Sequence, residues 1–356
     1  VTLADVLAGI TFVALNGYAL LGGADFGGGV WDLLASGSRK ARQRELIAAA
    51  IGPVWEANHV WLILALVLLF TCFPLAFARL GTLLHIPLSL VLIGIVLRGS
   101  AFTFWRYGGA SDGGHGDEAQ RHWGVVFAVA SLITPLLLGT AAGAIAAGAL
   151  GRAEAARTAG AGFTAVYVAP WLTPFTVSIG VFALAAFAFL AAVYLTLEAR
   201  ERDLQEDFRR RALGAGGALV AVALLALLLA YRYAPLVRDG LIVARWAAPL
   251  HVATAAAALT ALAALWRRRW RLARAAAGAQ VSLILWGWAL AQYPMLLPPD
   301  LTIREAAAPA VTLRLVLGAL GLGAVVLFPS LAYLFRVFKG TGGTGGTGGT
   351  GGTARA

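Results

Sequence analysis

Glu56 and His59 stand three residues apart in Ile51-Gly52-Pro53-Val54-Trp55-Glu56-Ala57-Asn58-His59-Val60-Trp61, with Asn58 between them. On a helix that spacing puts a carboxylate and an imidazole on one face. Both are residue types whose proton affinity modest desolvation brings near neutrality. With the Asn58 amide they make a candidate cluster for proton entry. A structural explanation competes with the chemical one, because Pro53 suits a first helical turn and Glu56 just behind it sits well against the positive helix end.

A second candidate is Asp25, in Gly22-Gly23-Ala24-Asp25-Phe26-Gly27-Gly28-Gly29. This is not a phosphate loop, since no strand precedes it and no Lys-Ser/Thr pair ends it. Small residues let neighbouring helices approach closely, which would leave the carboxylate at a packed helix junction. The alternative is an interfacial Asp in water or paired with an Arg. Arg98 in Leu97-Arg98-Gly99 is a possible charge partner for Asp25 or Glu56, or a side chain that snorkels to the interface. His85 and His251 each lie within an apolar helix and read as hydrogen-bonded packing residues rather than haem ligands. Cys72 is alone, so it forms neither an internal disulfide nor a Cys-based metal site.

The elements that must position these groups are long apolar runs. Nine stretches lack Asp, Glu, Lys and Arg for eighteen or more residues: 6–24, 57–78, 80–97, 123–151, 158–197, 212–231, 246–266, 275–299 and 315–335. A helix needs about 20 apolar residues to cross the hydrocarbon layer, and barrel strands would be about half as long with alternating polarity. The expected fold is therefore an all-α polytopic membrane protein with nine transmembrane helices. The stretch 158–197 is long enough for two crossings, but two would put the cluster Arg200 to Arg211 on the wrong face. One helix starting near Pro174 is the better count, preceded by an interfacial segment with Pro170 and Trp171 on the outer side.

The cations agree with that count. Of the 28 Lys and Arg residues, 20 fall in the gaps after the first, third, fifth and seventh helices and in the C-terminal tail. The positive-inside rule then predicts the N-terminus outside and the C-terminus in the cytoplasm. The net charge of +11 is explained by this orientation, so nucleic acid is not an expected partner. With 60% hydrophobic and 13% charged residues, the surface must face membrane lipids or another protein. Asp5 stands where a secretory signal would carry basic residues, so the first stretch reads as a retained helix. Residues 1–339 are read as one integral membrane domain, and 340–356, with its Thr-Gly-Gly repeats, as a disordered tail.

At these segments the chain resembles subunit II of the cytochrome bd-type quinol oxidases. The resemblance rests on Gly17-Tyr18 with Asp25-Phe26-Gly27, on Gly52 to Trp61, on Leu97-Arg98-Gly99 with Ala101-Phe102, on Trp171-Leu172-Thr173-Pro174-Phe175, and on Tyr293-Pro294 with Pro298. They appear in family order over residues 17 to 300. The resemblance implies a heterodimer of related nine-helix subunits in the bacterial inner membrane, each made of two four-helix bundles plus one peripheral helix, with a possible small accessory subunit. It implies that subunit I holds haem b and haem d and the loop that oxidises quinol, while this chain ligates no cofactor, stabilises its partner and contributes a proton path from the cytoplasm. By position Asp25 and Glu56 are the candidates for that path, with Asn58 and His59 in support. The family commonly has Asp where Glu56 stands, Glu or Gln where His59 stands, and a further acid where Gly22 stands. A reading of another class is a proton-coupled transporter, whose site would lie near mid-membrane between repeats with broken helices. A purely structural subunit is a third.

Overall fold

The computed structural model describes residues 2–52, 55–107 and 116–340; the side chains of 55–57, 105–107, 116–121, 327–328, 331–332 and 334–340 are not described. The glycine- and threonine-rich tail beyond residue 340 lies outside the described residues, as do Pro53 and Val54. The chain runs α1 (Leu3–Leu33), α2 (Lys40–Ile51), α3 (Trp55–Cys72), α4 (Pro74–Leu83), α5 (His85–Tyr107), α6 (Gly116–Ala146), α7 (Ala149–Thr158), α8 (Phe163–Tyr167) and α9 (Pro174–Glu198). It continues through α10 (Arg202–Tyr233), α11 (Pro235–Val243), α12 (Ala247–Trp266), α13 (Trp270–Gln292), a short hairpin of β1 (Met295–Leu297) and β2 (Leu301–Thr302), α14 (Ile303–Ala306) and α15 (Ala310–Gly340).

Among the described residues, six helices are long and apolar enough to cross a membrane: α1, α5, the 122–146 part of α6, α9, α10 and α12. A seventh crossing is added if α3 and α4, which meet at a bend of 113°, form one broken span. The apolar stretch 57–78 is thus not one straight helix. Pro74 has no amide hydrogen to continue the α3 ladder and instead opens α4 at its first turn, behind a non-helical Phe73. α13 carries Arg271 and Arg274 in its first turns and buried Gln280 and Gln292 further on, which lowers its apolarity.

Residues 1–307 form one compact unit and 308–356 another, which holds α15 alone. Within the first unit α9 is the central element, packed against α10, α6, α1 and α13, while α5 lies along α6 and α12 along α13. Sequence explains where α9 begins. Thr173 accepts from the Thr176 amide and Thr176 answers to the Thr173 amide, a reciprocal cap followed at once by Pro174. The start near Pro174 expected from the charge pattern is the start observed.

In lipid there is no hydrophobic gain from joining apolar helices, so close approach and buried polar bonds must hold them together. Both are present. A β-carbon at Gly27 would lie 2.0 Å from the Phe187 backbone oxygen, and one at Gly29 would lie 2.2 Å from Ser131 Oγ, so α1 touches α9 and α6 along its glycine face. The Trp31 indole donates to the Ala188 carbonyl at 2.7 Å, and Asn16 donates to Ser282 on α13 at 3.2 Å. Where the helices emerge, Arg39 makes a two-point bond to Asp207 (2.8 and 2.6 Å), Gln43 donates to the same carboxylate at 2.8 Å, and Arg211 donates to Gln43 at 2.8 Å. These bonds tie the start of α2 to α10.

Candidate functional site

Asp25 lies inside α1, not at its end. The charge-free run stops at Ala24, but the helix continues to Leu33 because residues 26–32 are packed on all sides. That continuation buries the carboxylate: Asp25 is 6% exposed and Asn58 on α3 is likewise 6% exposed. Asn58 Nδ2 donates to Asp25 Oδ2 at 2.6 Å. The bond joins α1 to α3 across thirty-three residues of sequence and is short enough to be charge-assisted in character. A carboxylate in the membrane interior is costly and persists where it is partnered or used; here one oxygen is partnered by Asn58.

Arg98 is 2% exposed, so the snorkelling expectation does not hold for it. Its Nη2 donates to the backbone oxygen of Asp25 at 2.9 Å and its Nε donates to Ser131 Oγ at 3.1 Å. The guanidinium lies between two rings, 4.8 Å from the centroid of Phe26 and 5.0 Å from that of Phe127. This combination of forked donors and flat faces is what arginine offers and lysine does not. Arg98 therefore reaches the residue expected of it, through the main chain, and brings its positive charge beside the buried carboxyl. The snorkelling alternative fails because α5 runs on to Tyr107, which places residue 98 well inside the helix.

His59 follows Asn58 on α3, and its ring lies 5.9 Å from that of Tyr18 on α1. Glu56 occupies the first turn of α3; its side chain lies outside the described residues. The structure thus brings Asp25, Asn58, His59 and Arg98 to one junction of α1, α3 and α5. Sequence reasoning missed Ser131, Phe127 and the site role of Tyr18. Ser131 and Phe127 lie in an apolar run of α6 with no local signal, and only their contact with a buried arginine distinguishes them. Tyr18 is buried against Phe26 and His59.

His85 and His251 lie elsewhere. Each bonds Nδ1 to a carbonyl of its own chain neighbourhood, His85 to Thr82 at 2.9 Å and His251 to Ala247 at 2.7 Å, and His85 also meets the Tyr167 ring edge-on. Among the described residues no group of three or more His, Cys, Asp or Glu is placed to hold a metal ion. The site gathers titratable and hydrogen-bonding side chains in a packed helix junction.

A family model described as cytochrome bd terminal oxidase subunit II matches residues 3–338. The chain is 32% identical over 136 residues to cytochrome bd ubiquinol oxidase subunit 2 of Bacillus subtilis, covering 38% of this chain and 36% of that one. It is 28% identical over 139 residues to cytochrome bd-I ubiquinol oxidase subunit 2 of Escherichia coli K12, covering 37% and 32% respectively. The matched part spans between 25% and 36% of the length of such curated relatives. Among solved structures, a chain of the bd oxidase from Geobacillus thermodenitrificans is similar with a TM-score of 0.74 at 22% identity, covering 95% of this chain and 99% of that one. At that identity the likeness shows a shared fold.

Proposed function

The chain belongs to the cytochrome bd terminal oxidase subunit II family, and from that premise we propose that it is subunit II of a bacterial membrane oxidase that couples quinol oxidation to reduction of oxygen to water. In this reading it supports a haem-bearing subunit I and carries protons to it from the cytoplasm. In this reading the six spans, the bent α3–α4 pair taken as one more, α13 and α15 make nine crossings, arranged as two four-helix bundles and a peripheral helix. The N-terminus is outside and the C-terminus inside. Quinol oxidation and oxygen reduction are chemistry that haem b and haem d supply when bound in the partner.

The observation that carries the proton role is the buried Asp25–Asn58 bond at 2.6 Å. Oxygen reduction at a buried centre consumes protons, and if these enter from the cytoplasm while quinol releases its own outside, the reaction charges the membrane. Asp25 Oδ1 is the atom left to take a proton while Oδ2 stays bonded to Asn58. Glu56, one turn before His59, stands as the carboxyl nearest the start of α3, and His59 supports the hydrogen bonds between them. Arg98 keeps a positive charge beside Asp25, held there by its bond to the Asp25 backbone oxygen. A transporter would be built on matched interrupted helices in two repeats, whereas one bent pair is found among the described residues.

The test is oxygen consumption by a complex carrying Asp25→Asn with Glu56→Gln, with haem content checked from the absorption spectrum. Slow turnover at full haem content is expected. Wild-type turnover would reject the relay and leave this chain a structural subunit.

A further inference from the structure

Tyr18 stands two turns before Asp25 on α1 and is 5% exposed. A methyl group at Gly22 would come within 2.7 Å of the ring carbon Cε2 and 2.9 Å of Cδ2, so the ring fills the space a side chain at position 22 would need. Further on it meets Phe26 edge-on with centroids 6.5 Å apart, and Phe26 is the ring that carries the Arg98 guanidinium. The His59 imidazole flanks it at 5.9 Å. The ring is thus held among Gly22, Phe26 and His59, on the face of α1 that also carries Asp25. The hydroxyl is buried and has no hydrogen-bond partner among the described residues.

A buried hydroxyl without a partner is costly, and phenylalanine would fill the same volume without that cost. Packing alone thus gives no reason for the oxygen. We propose that the Tyr18 hydroxyl is a relay group of the proton path at Asp25, and that Gly22 lacks a side chain so that the ring can lie there; this rests on the proton-path reading given above. A phenol oxygen is both donor and acceptor. In the relay it accepts a proton from the His59 side and gives up its own toward Asp25 Oδ1, with water as carrier between side chains. The phenol is neutral before and after, and no electron moves. The placement explains why Tyr18, Gly22, Asp25 and Phe26 share one face of α1 with the α3 residues Asn58 and His59.

The test compares Tyr18→Phe, Gly22→Ala and Asp25→Asn in the purified complex of both subunits. Turnover at saturating quinol, its pH profile, its solvent deuterium isotope effect, haem content and thermal midpoint are measured for each. Loss of one working hydrogen bond predicts that Tyr18→Phe falls about tenfold in turnover. Its isotope effect should rise and its pH profile shift, while haem content and thermal midpoint stay at wild-type values. Gly22→Ala should slow turnover in the same direction by displacing the ring. If Asp25→Asn is slow and Tyr18→Phe is not, the hydroxyl has no part in the path and the proposal is overturned while the path stands. If Asp25→Asn keeps wild-type turnover, the path itself fails and this proposal with it. If Tyr18→Phe loses haem or stability, the hydroxyl is structural and the proposal is likewise overturned.

Discussion

Replacing Gly27 by alanine tests the claim that close helix approach, rather than apolarity, holds the site together. A β-carbon at Gly27 would sit 2.0 Å from the Phe187 backbone oxygen and 2.7 Å from the Ala191 β-carbon, where ordinary contact begins near 3.4 Å. The obstructing oxygen belongs to the α9 backbone ladder and cannot rotate away, so α1 and α9 must part by about 1 Å. Overpacking of this kind costs about 1–3 kcal/mol. Because Asp25 lies about 200° around α1 from Gly27, on the side that meets α3, the same displacement would drive α1 against α3 and disturb the 2.6 Å bond to Asn58. Gly9 on the same helix is the control, since a β-carbon there meets nothing within 4 Å. Alanine at that position removes a helix-interior glycine and should stabilise by ~0.5–1 kcal/mol. The assay is the thermal midpoint of the purified complex together with its rate of oxygen consumption. Gly27→Ala should lower both, while Gly9→Ala should raise the midpoint and leave the rate alone. Equal shifts in the two variants would refute the reasoning.

Arg98→Lys keeps the charge but loses the fork that reaches both Ser131 and the Asp25 carbonyl, so the thermal midpoint should report a loss of about 2–3 kcal/mol; an unchanged midpoint would contradict the geometry. Thr173→Ala removes the cap of α9 at a cost of about 1 kcal/mol, to be read as faster amide exchange at Thr176. The Arg157 guanidinium, by hydrogen bonding Glu154, holds that carboxyl below its ordinary value. Since the folded value is the depressed one, the stabilisation is present above the unfolded value and is lost as pH falls through the folded one. Arg157→Ala should therefore flatten the acid dependence of amide exchange in α7 between roughly pH 5 and pH 3.

The helices were legible because backbone in lipid must bond within its own segment, so a charge-free run of sufficient length leaves few alternatives. The start near Pro174 was legible from the charge pattern, although the reciprocal cap at Thr173 that fixes it is local, and the grouping of Asn58 and His59 was legible from their spacing. The ends of helices were less so. Asp25 reads as the charge that closes the first span, yet it lies within α1 because neighbouring helices cover it. α10 begins at Arg202, ten residues ahead of its apolar run, because Asp207 and Arg211 are held by Arg39 and Gln43 of α2. The break at Pro74 was visible as a residue, but its 113° bend depends on what α4 packs against. Similarly, Asp25 and Arg98 could be named as candidates from burial cost alone. That the guanidinium takes the backbone oxygen, with Ser131, Phe26 and Phe127 around it, depends on the crossing of α1, α5 and α6, which no local pattern encodes.

The most direct measurement of the central claim is proton uptake during a single turnover, followed with a pH indicator on the cytoplasmic side of vesicles containing the complex. Asp25→Asn should slow uptake and oxygen reduction together, with the haem spectrum unchanged. Uptake at the wild-type rate and stoichiometry in that variant would contradict the account.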